Sequence, residues 1–205
     1  MANFYTQHIF PSLVEWTMAG EPFRTYRRQL LTEATGEVLE IGFGTGLNLP
    51  HYGDRLRSLT LVDPNQGMQA LAQARIAAAP FPVKVYQMGG EALPLEDASV
   101  DCVVSTWTLC SIAAVDQAMG EIHRVLRSGG RFLFLEHGLS DRPDVQRWQH
   151  RLTPIQRVIA DGCHLDRNMG SLVERWFDRV EVDRFEAENL PAIVGTLYRG
   201  IATKA

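Results

Sequence analysis

Short apolar runs alternate with segments of helical periodicity through the middle of the chain. The runs are rich in β-branched residues, which is typical of strands buried on both faces of a parallel sheet. They occupy residues 38–41, 59–62, 83–87, 99–107 and 131–135. The helical segments between them occupy residues 66–79 and 115–126. This alternation predicts an α/β fold in which helices cover a largely parallel sheet.

The first apolar run ends in three glycines at alternating positions, Gly42, Gly44 and Gly46. Glycine lets the chain turn sharply and approach a ligand closely at the carboxyl end of the strand. The dinucleotide fingerprint has its last glycine three positions after the second, where this chain has Leu47. The spacing therefore suits a nucleoside ligand without a pyrophosphate better than NAD, and Glu40 adds a carboxylate just before the turn.

An acidic residue closes the second apolar run. Asp63 lies 17 residues after Gly46, close to the ~20 expected for a carboxylate that bonds ribose hydroxyls. Because Pro64 and Asn65 follow it, Asp63 could instead begin a turn or cap a helix. The order of strand, glycine turn, helix, strand and acid favours the ribose role.

The N-terminal region, residues 1–35, precedes this pattern. Two groups of apolar residues at helical spacing predict two short helices, which residues 20–22 separate. These helices could pack on the sheet or form a lid over the glycine turn. In the second arrangement Tyr5, His8 or Tyr26 would touch the ligand.

The C-terminal region also departs from the central pattern. Residues 139–177 contain helical segments with many arginines, among them 146–152 and 155–160, and we expect them to cap the ligand-binding edge of the sheet. Residues 179–185 and 196–203 alternate as two final strands, which predicts a hairpin-like pair with the last strand antiparallel. Gly129 and Gly130 are expected to close the helix of residues 115–126 in the left-handed cap conformation.

Bulk composition limits the partners. The 205-residue chain carries a net charge of −4, which argues against general binding to nucleic-acid phosphates. No apolar stretch approaches the ~18 residues of a membrane span, and no signal peptide is visible. Cys102, Cys110 and Cys163 show no metal-ligand spacing. We therefore expect one domain in a reduced, cytoplasmic setting, without a metal, as a monomer or homodimer.

Four segments occur in unbroken order over about residues 36–138. They are E-I-G-F-G-T-G, L-V-D-P-N, G-G-E-A-L-P-L-E-D-A-S-V-D-C-V-V and H-R-V-L-R-S-G-G-R-F-L-F-L-E-H. With them the chain resembles a class I S-adenosylmethionine-dependent methyltransferase and is most similar to the UbiE-like branch. The segments D-G-C-H-L, L-C-S and E-H resemble the methyltransferase-like seven group, whose members methylate small alkyl thiols. Members of that group carry a long apolar N-terminal anchor that this sequence does not show, so we do not expect their membrane localisation here.

The resemblance implies a Rossmann-like fold with a seven-stranded, mostly parallel sheet, an antiparallel last strand and helices on both faces. It implies S-adenosylmethionine as cofactor and S-adenosylhomocysteine as product. One methyltransferase domain, 1–205, would then comprise an N-terminal lid (1–35), a cofactor-binding core (36–138), a helical cap and substrate region (139–177) and C-terminal strands (178–205).

The resemblance also implies which residues contact the cofactor. We expect the glycine turn with Glu40 at the methionine and ribose, Asp63 at the ribose hydroxyls, and residues near 91 at the adenine. The full set is Glu40, Gly42, Gly44, Gly46, Asp63, Pro64, Met68, Gly90, Glu91, Ala92, Thr106 and Trp107. Similar enzymes often hold the adenine amino group with an aspartate at the position of Gly89. That contact must here come from backbone or from a neighbouring residue.

Methyl transfer needs an acceptor with an available lone pair, so a general base is expected for a thiol or phenol. His137, at the carboxyl end of the fifth strand, is the first candidate; it could instead be a structural imidazole bonded to Glu136 or to backbone. His164 with Asp161 is the second candidate pair, although this loop could simply be a turn held by an Asx-type hydrogen bond.

The acceptor class stays open at this level. A small thiol is the first choice, and a quinone precursor or phospholipid headgroup is the alternative. Arg147, Arg151 and Arg157, interleaved with apolar residues, could rest on an anionic membrane surface, but we expect such contact to be minor. A nucleotide-binding dehydrogenase or a silent binding module is the rival from another class. Cys110 and Cys163 would be nucleophiles only with a covalent intermediate, and small apolar packing is the other interpretation of Cys110.

Overall fold

The computed structural model describes residues 4–205, so residues 1–3 of the expected lid lie outside the described part. Seven strands form one sheet in the order β3-β2-β1-β4-β5-β7-β6. The strands are β1 (Gly36–Ile41), β2 (Leu56–Val62), β3 (Val83–Tyr86), β4 (Val100–Thr106), β5 (Leu126–His137), β6 (Arg179–Glu186) and β7 (Thr196–Thr203). Strand β7 is antiparallel to both neighbours and the other pairings are parallel, which confirms the expected fold class.

Seven α-helices accompany the sheet within residues 4–205. They are α1 (Phe10–Met18), α2 (Phe23–Leu31), α3 (Gln66–Ala77), α4 (Val115–Val125), α5 (Pro143–Ile159), α6 (Met169–Glu174) and α7 (Ala192–Gly195). A π-helical turn, Tyr5–Ile9, leads into α1, and a 3₁₀ turn, Leu49–His51, follows the glycine loop. None of the helices described is both long and apolar enough to cross a membrane.

Side chains of the central strands alternate between two hydrophobic cores, one on each face. On β5, Phe132 and Phe134 pack into one core, with α4 and α6. Leu133 and Leu135 pack into the other, with α2 and α3. Because both faces are covered, the inner strands read as continuous apolar runs. Strands β1 and β4 are neighbours although β1 connects onward to β2, so the crevice at their carboxyl ends lies at the topological switch point.

Two expectations about local structure are corrected. Helix α4 ends at Val125, and Leu126 is already extended, so Gly129 does not cap that helix. Its φ of +75° instead bends the start of β5, where left-handed backbone suits glycine. The two helical segments expected on either side of Pro154 form the single helix α5. A proline inside a helix removes one backbone hydrogen bond without necessarily ending the helix.

Candidate active site

A cavity of about 740 Å³ lies at the carboxyl ends of β1, β2, β4 and β5. The N-terminal helices close it from above. Tyr5 donates to the backbone oxygen of Ile159 at 2.7 Å, and Glu15 pairs with Arg75 at 2.6 Å. Of the three aromatic residues considered for the lid, Tyr5 lines the cavity, whereas Tyr26 packs on Phe185 instead. His8 is not among the lining residues.

The glycine turn forms one wall of this cavity. Gly42, Gly44 and Gly46 have φ values of +68°, +54° and +79°, which other residues adopt only with strain. A Cβ at Gly42 would also collide with the side chain of Thr108. Gly42 and Gly44 line the cavity and Gly46 does not, because Gly46 packs against Leu49 and α3. The first two glycines therefore present backbone to a ligand, and the third fixes the turn.

Asp63 stands opposite the glycine turn. Its carboxylate accepts hydrogen bonds from the backbone N–H of Gly44 at 3.0 Å and of Asn65 at 2.8 Å. Burial raises the pKa of Asp63 to about 6, against these two bonds, which lower it. A carboxylate has about four lone-pair directions, so two remain to accept from ligand hydroxyls. Asp63 thus begins a turn and also lines the cavity, and its contact with ribose stays a prediction.

Glu40 is placed differently from expectation. It is buried and does not line the cavity. Its carboxylate accepts from Asn48 Nδ2 at 2.8 Å and from the Tyr52 hydroxyl at 2.7 Å, and burial raises its pKa to about 7. Asn48 also donates to Thr106 Oγ1 at 2.9 Å. Glu40 therefore positions Asn48, which does face the cavity, and direct contact of Glu40 with a ligand is not supported.

Asn48 is a lining residue that sequence reasoning missed. Its Oδ1 atom is buried and has no hydrogen-bond partner among the described residues. A buried amide oxygen without a partner is costly, so this atom is suited to accept from a ligand N–H. Its position two residues after the last glycine of the turn was the available signal.

The far wall is built from the loop after β2, the start of α3 and the loop after β3. Pro64, Met68, Gly90 and Glu91 line the cavity, as expected. Ala92, also expected there, does not line it, because the chain turns away after residue 91. A Cβ at Gly89 would collide with a carboxylate oxygen of Glu91. The Glu91 carboxylate thus occupies the space that an aspartate side chain at position 89 would use.

Thr106 and Trp107 both line the cavity, as expected. Trp107 has a φ of +50°, which is unusual for a bulky residue. Its ring meets Phe23 edge-on at 5.5 Å, and the Arg27 guanidinium lies 4.8 Å from the ring centre. The lid helix α2 therefore holds Trp107 in place. Arg27 is another lining residue that the sequence did not single out.

Glu136 organises the loop after β4. This fully buried carboxylate accepts from the Ser105 hydroxyl at 2.7 Å and from the backbone N–H of Thr108 and Leu109, both at 3.0 Å. Burial raises its pKa against these hydrogen bonds. One alternative interpretation of His137 is a structural imidazole that bonds to Glu136. The structure does not show that bond, because Glu136 binds the loop after β4 instead. The loop is thereby fixed on the acceptor side of the cavity.

His137 lines the cavity together with two cysteines. Its Nε2 atom lies 2.8 Å from Cys163 Sγ, and Cys110 completes a cluster whose ligand atoms lie within 4.8 Å of one another. Burial lowers the pKa of His137, but the hydrogen bond and charge of Cys163, together with smaller contributions from backbone and Glu136, outweigh burial and raise this pKa. Hydrogen bonding to Cys110, with burial, raises the pKa of the Cys163 thiol. The spacing of the cysteines in the sequence showed no metal-ligand pairing, whereas the structure brings Cys110 and Cys163 together beside His137.

The second candidate pair, His164 with Asp161, does not form. His164 does not line the cavity, and its Nδ1 faces Asp166 at 3.4 Å. Burial and the nearby Arg167 lower the pKa of His164. Asp161 does line the cavity, and left-handed backbone at Asp161 and at Gly162, with φ values of +45° and +90°, turns the chain between them.

Comparison with known proteins supplies the class. A family model described as a methyltransferase domain matches residues 39–134. Human thiol S-methyltransferase TMT1A is 34% identical over 172 residues, which cover 82% of this chain and 70% of that protein. The ubiquinone/menaquinone biosynthesis C-methyltransferase UbiE of Rubrivivax gelatinosus is 38% identical over 114 residues, covering 55% of this chain and 44% of that protein.

A solved structure shares the fold. Phospholethanolamine N-methyltransferase 2 of Haemonchus contortus, in complex with phosphomonomethylethanolamine and S-adenosylhomocysteine, superposes with a TM-score of 0.72 at 16% identity. The match covers 97% of this chain and 59% of that one. The chain belongs to the class I S-adenosylmethionine-dependent methyltransferases. It is an enzyme that uses S-adenosylmethionine, and its relatives include thiol S-methyltransferases as well as UbiE.

Proposed function

We propose that this enzyme transfers the methyl group of S-adenosylmethionine to the sulfur of a small-molecule thiol. The observation that carries the proposal is the similarity to human thiol S-methyltransferase TMT1A over 82% of this chain. The nature of the acceptor end of the cavity supports it, since Cys110, His137 and Cys163 present sulfur and imidazole there.

The reaction is an in-line displacement at the methyl carbon. The acceptor thiol loses its proton, and the thiolate forms a new carbon–sulfur bond to the methyl group. The bond between that carbon and the sulfonium breaks, and its electron pair stays on the sulfur of S-adenosylhomocysteine. An enclosed, oriented cavity contributes much of the rate, up to ~7–11 kcal/mol from proximity.

Ionisation of the thiol is the chemical demand on the protein, because a free thiol has a pKa of about 8.5. Of the candidates from the sequence, His137 and Asp161 line the cavity. We assign promotion of thiol ionisation to His137 acting together with the cysteines that it adjoins, and not as a free base. Asp161 remains a secondary candidate, because burial raises its pKa and so makes it a better proton acceptor than an exposed aspartate.

The cofactor would occupy the part of the cavity next to β1 and β2. Asp63 is assigned to the ribose hydroxyls, and Glu91 to the adenine amino group in place of the missing aspartate. The glycine turn and Asn48 are assigned to the methionyl portion. The assignments of Asp63 and Asn48 follow from their free acceptor positions. Glu91 is assigned from its place beside Gly89, and the glycine turn from its place in the cavity wall.

The test uses purified enzyme, methyl-labelled cofactor and three acceptor classes: alkyl thiols, quinone precursors and phosphatidylethanolamine vesicles. We expect label in a thioether, identified by mass spectrometry, with at least one alkyl thiol. The variant Asp63→Ala is the matched control, since it should weaken transfer at limiting cofactor concentration without touching the acceptor end. Labelling of only the quinone precursors or only the lipid would contradict the proposal.

One observation favours an amphiphilic acceptor as a second candidate. Apolar side chains are exposed on both segments beside the cavity mouth. On α5 these include Trp148, Ile155 and Val158, exposed at 53%, 58% and 73%, and on α1 Trp16 is 81% exposed. Such a surface could rest on a lipid interface.

Vesicle co-sedimentation distinguishes this second candidate. We expect binding to anionic vesicles to fall when Trp16 and Val158 are both replaced by serine. Val182→Ser is the control, because Val182 is also exposed but lies on the edge strand β6. If neither wild type nor variants sediment with vesicles, an acceptor taken from a membrane is contradicted.

A further inference from the structure

Three elements distant in sequence bring soft ligand atoms together at the acceptor end. Cys110 lies in the loop after β4, His137 at the end of β5 and Cys163 in the loop after α5. Their ligand atoms lie within 4.8 Å of one another, and each residue lines the cavity. The third cysteine, Cys102, is buried within β4 away from this cluster.

The loops that carry the two cysteines are fixed to each other. The backbone N–H of His164 donates to the carbonyl oxygen of Cys110 at 2.9 Å, and the Arg167 guanidinium donates to the carbonyl oxygen of Leu109. The Glu136 carboxylate holds the loop after β4 by accepting from the backbone N–H groups of Thr108 and Leu109. The cluster therefore belongs to a preorganised part of the site.

The donor set matches one kind of ion. Two thiolates and an imidazole are soft and borderline ligands, which favour zinc and similar thiophilic ions over magnesium or calcium. Tetrahedral zinc with Zn–S of ~2.3 Å and Zn–N of ~2.0–2.1 Å places such ligand atoms roughly 3.5–3.8 Å apart. The distance between Cys163 Sγ and His137 Nε2 must increase from 2.8 Å, and the distances to Cys110 Sγ, which lie within 4.8 Å, need a change of about 1 Å at most.

Hydrogen-bond donors surround the two sulfurs. Gln156 Nε2 donates to Cys163 Sγ at 3.7 Å, and the Ser111 hydroxyl lies 3.7 Å from Cys110 Sγ. Outer donors of this kind orient thiolate ligands and tune a bound metal. A divalent ion with two thiolates and a neutral imidazole has no net charge, so its burial costs far less than that of a free ion.

The positions of the two ring nitrogens of His137 do not favour direct transfer of the thiol proton to this residue. The Nε2 atom is engaged with Cys163, and the Nδ1 atom is buried without a hydrogen-bond partner among the described residues. Neither nitrogen is therefore free at the cavity surface to accept the proton of a bound thiol. Another means of ionising the thiol is needed.

We propose that Cys110, His137 and Cys163 bind one zinc ion whose fourth position, open to the cavity, takes the acceptor thiol. The catalytic role of this site rests on the proposed thiol S-methylation, whereas the binding of zinc does not depend on it. Three protein ligands and one open position define catalytic rather than structural zinc sites, and a Cys₂His set is among the known ones.

The step balances with the ion as Lewis acid. The acceptor thiol binds the ion and releases its proton to solvent, giving a bound thiolate. Its lone pair forms the bond to the methyl carbon as the sulfonium bond breaks towards S-adenosylhomocysteine. The thiolate complex carries one negative charge next to the positive sulfonium, and both charges disappear on transfer. The neutral thioether is a weak ligand and leaves.

Metal binding is measured on the reduced, chelator-stripped full-length protein without substrate. We expect titration with zinc against a chromophoric chelator to give about one ion per chain. Cadmium should produce a thiolate-to-metal charge-transfer band in the ultraviolet. Cys110→Ser and Cys163→Ser should each weaken zinc binding more than about 100-fold, beyond the effect of losing an outer partner, and lose most of that band.

Cys102→Ala is the matched control and should retain full stoichiometry and the charge-transfer band. A shift of melting temperature with S-adenosylhomocysteine shows that each variant is folded. Absence of cadmium and zinc binding by the folded wild type would overturn the proposal. Retention of binding in both folded serine variants, or a Cys110–Cys163 disulfide that persists under reducing conditions, would also overturn it.

Activity separates this inference from the proposed function. If the stripped enzyme methylates thiols at the same rate as the zinc-loaded enzyme, the catalytic role of zinc is wrong and thiol methylation stands. If zinc binds as described but no thiol is labelled, the proposed substrate is wrong and the metal site stands.

Discussion

The two ends of the cavity are built in different ways. At the cofactor end, the glycine turn and Asp63 come from two adjacent strands and their following loops, and Asp63 is bonded to Gly44 and Asn65. At the acceptor end, Cys110, His137 and Cys163 come from three segments spread over more than fifty residues. The first end is made mostly of backbone and carboxylate oxygen, and the second presents sulfur and imidazole.

This difference separates binding from chemistry. In the proposed function, backbone and carboxylate groups bind a polar nucleoside without reacting with it, so changes at the first end should alter affinity. The soft groups at the other end are proposed to contact the acceptor, so changes there should alter turnover. Measuring both quantities on the same variants tests whether the two ends act independently.

The largest effect is expected at His137. Replacement by alanine should lower kcat with a thiol acceptor by ~10²–10⁴-fold, the range typical for loss of a group that assists proton removal. The affinity for S-adenosylhomocysteine, measured by calorimetry, should change little. His123→Ala is the control, because His123 packs on Phe177 away from the cavity. Loss of cofactor affinity in His137→Ala would show that the two ends are coupled.

Asp63→Ala should show the opposite behaviour. Loss of charged hydrogen bonds to the ribose hydroxyls should cost about 1–3 kcal/mol of cofactor binding, which corresponds to ~5- to 150-fold in Kd. Metal stoichiometry at the cysteine cluster should be unaffected. Asp97→Ala, at an exposed ion pair with Arg124, provides a surface control. Unchanged cofactor affinity by calorimetry would refute the assignment of Asp63.

The pH dependence of cofactor binding follows from the same residue. Burial raises the pKa of Asp63 from 3.8 to about 6, and the ionised form is the better acceptor for hydroxyls. Affinity should therefore be constant above pH 7 and fall as pH decreases through 6, becoming ~10-fold weaker at pH 5.

Asp63→Asn should abolish that pH response, whereas Glu40→Gln should retain it. In the protein without cofactor, the folding stability depends on pH in the opposite sense. Because the folded state binds more protons between pH 3.8 and 6, this residue makes the protein less stable as pH rises through that window. Identical pH profiles for wild type and Asp63→Asn would contradict both statements.

The smallest effect is expected at Glu91. Its carboxylate occupies the space beside Gly89, so Glu91→Gln should weaken cofactor binding only about 5-fold, through loss of about 1 kcal/mol from one hydrogen bond. Competition between S-adenosylhomocysteine and its inosine analogue, which lacks the amino group, provides the measurement. If wild type and Glu91→Gln prefer S-adenosylhomocysteine over the inosine analogue by the same factor, the adenine contact lies elsewhere.

Sequence reasoning predicted the sheet, and most of the residues that it assigned to the cofactor line the cavity. Apolar runs predicted the five parallel strands β1 to β5, because strands covered on both faces tend to be apolar throughout, and alternation predicted β6 and β7. Gly42, Gly44 and Asp63 were found because the turn needs left-handed backbone and the acid follows the next strand. Glu40 was misplaced because its side chain points to Asn48 and Tyr52, which no local pattern reveals.

The amino-acid sequence by itself determined the fold class and the part of the site that is encoded in continuous segments. Propensity, periodicity and glycine conformation act over a few residues, so they can be read along the chain. Only the tertiary structure decided that Cys110 and Cys163 meet His137 and that His164 faces Asp166 instead of Asp161. Such contacts depend on how separate loops pack over the sheet, and that packing is set by the whole core.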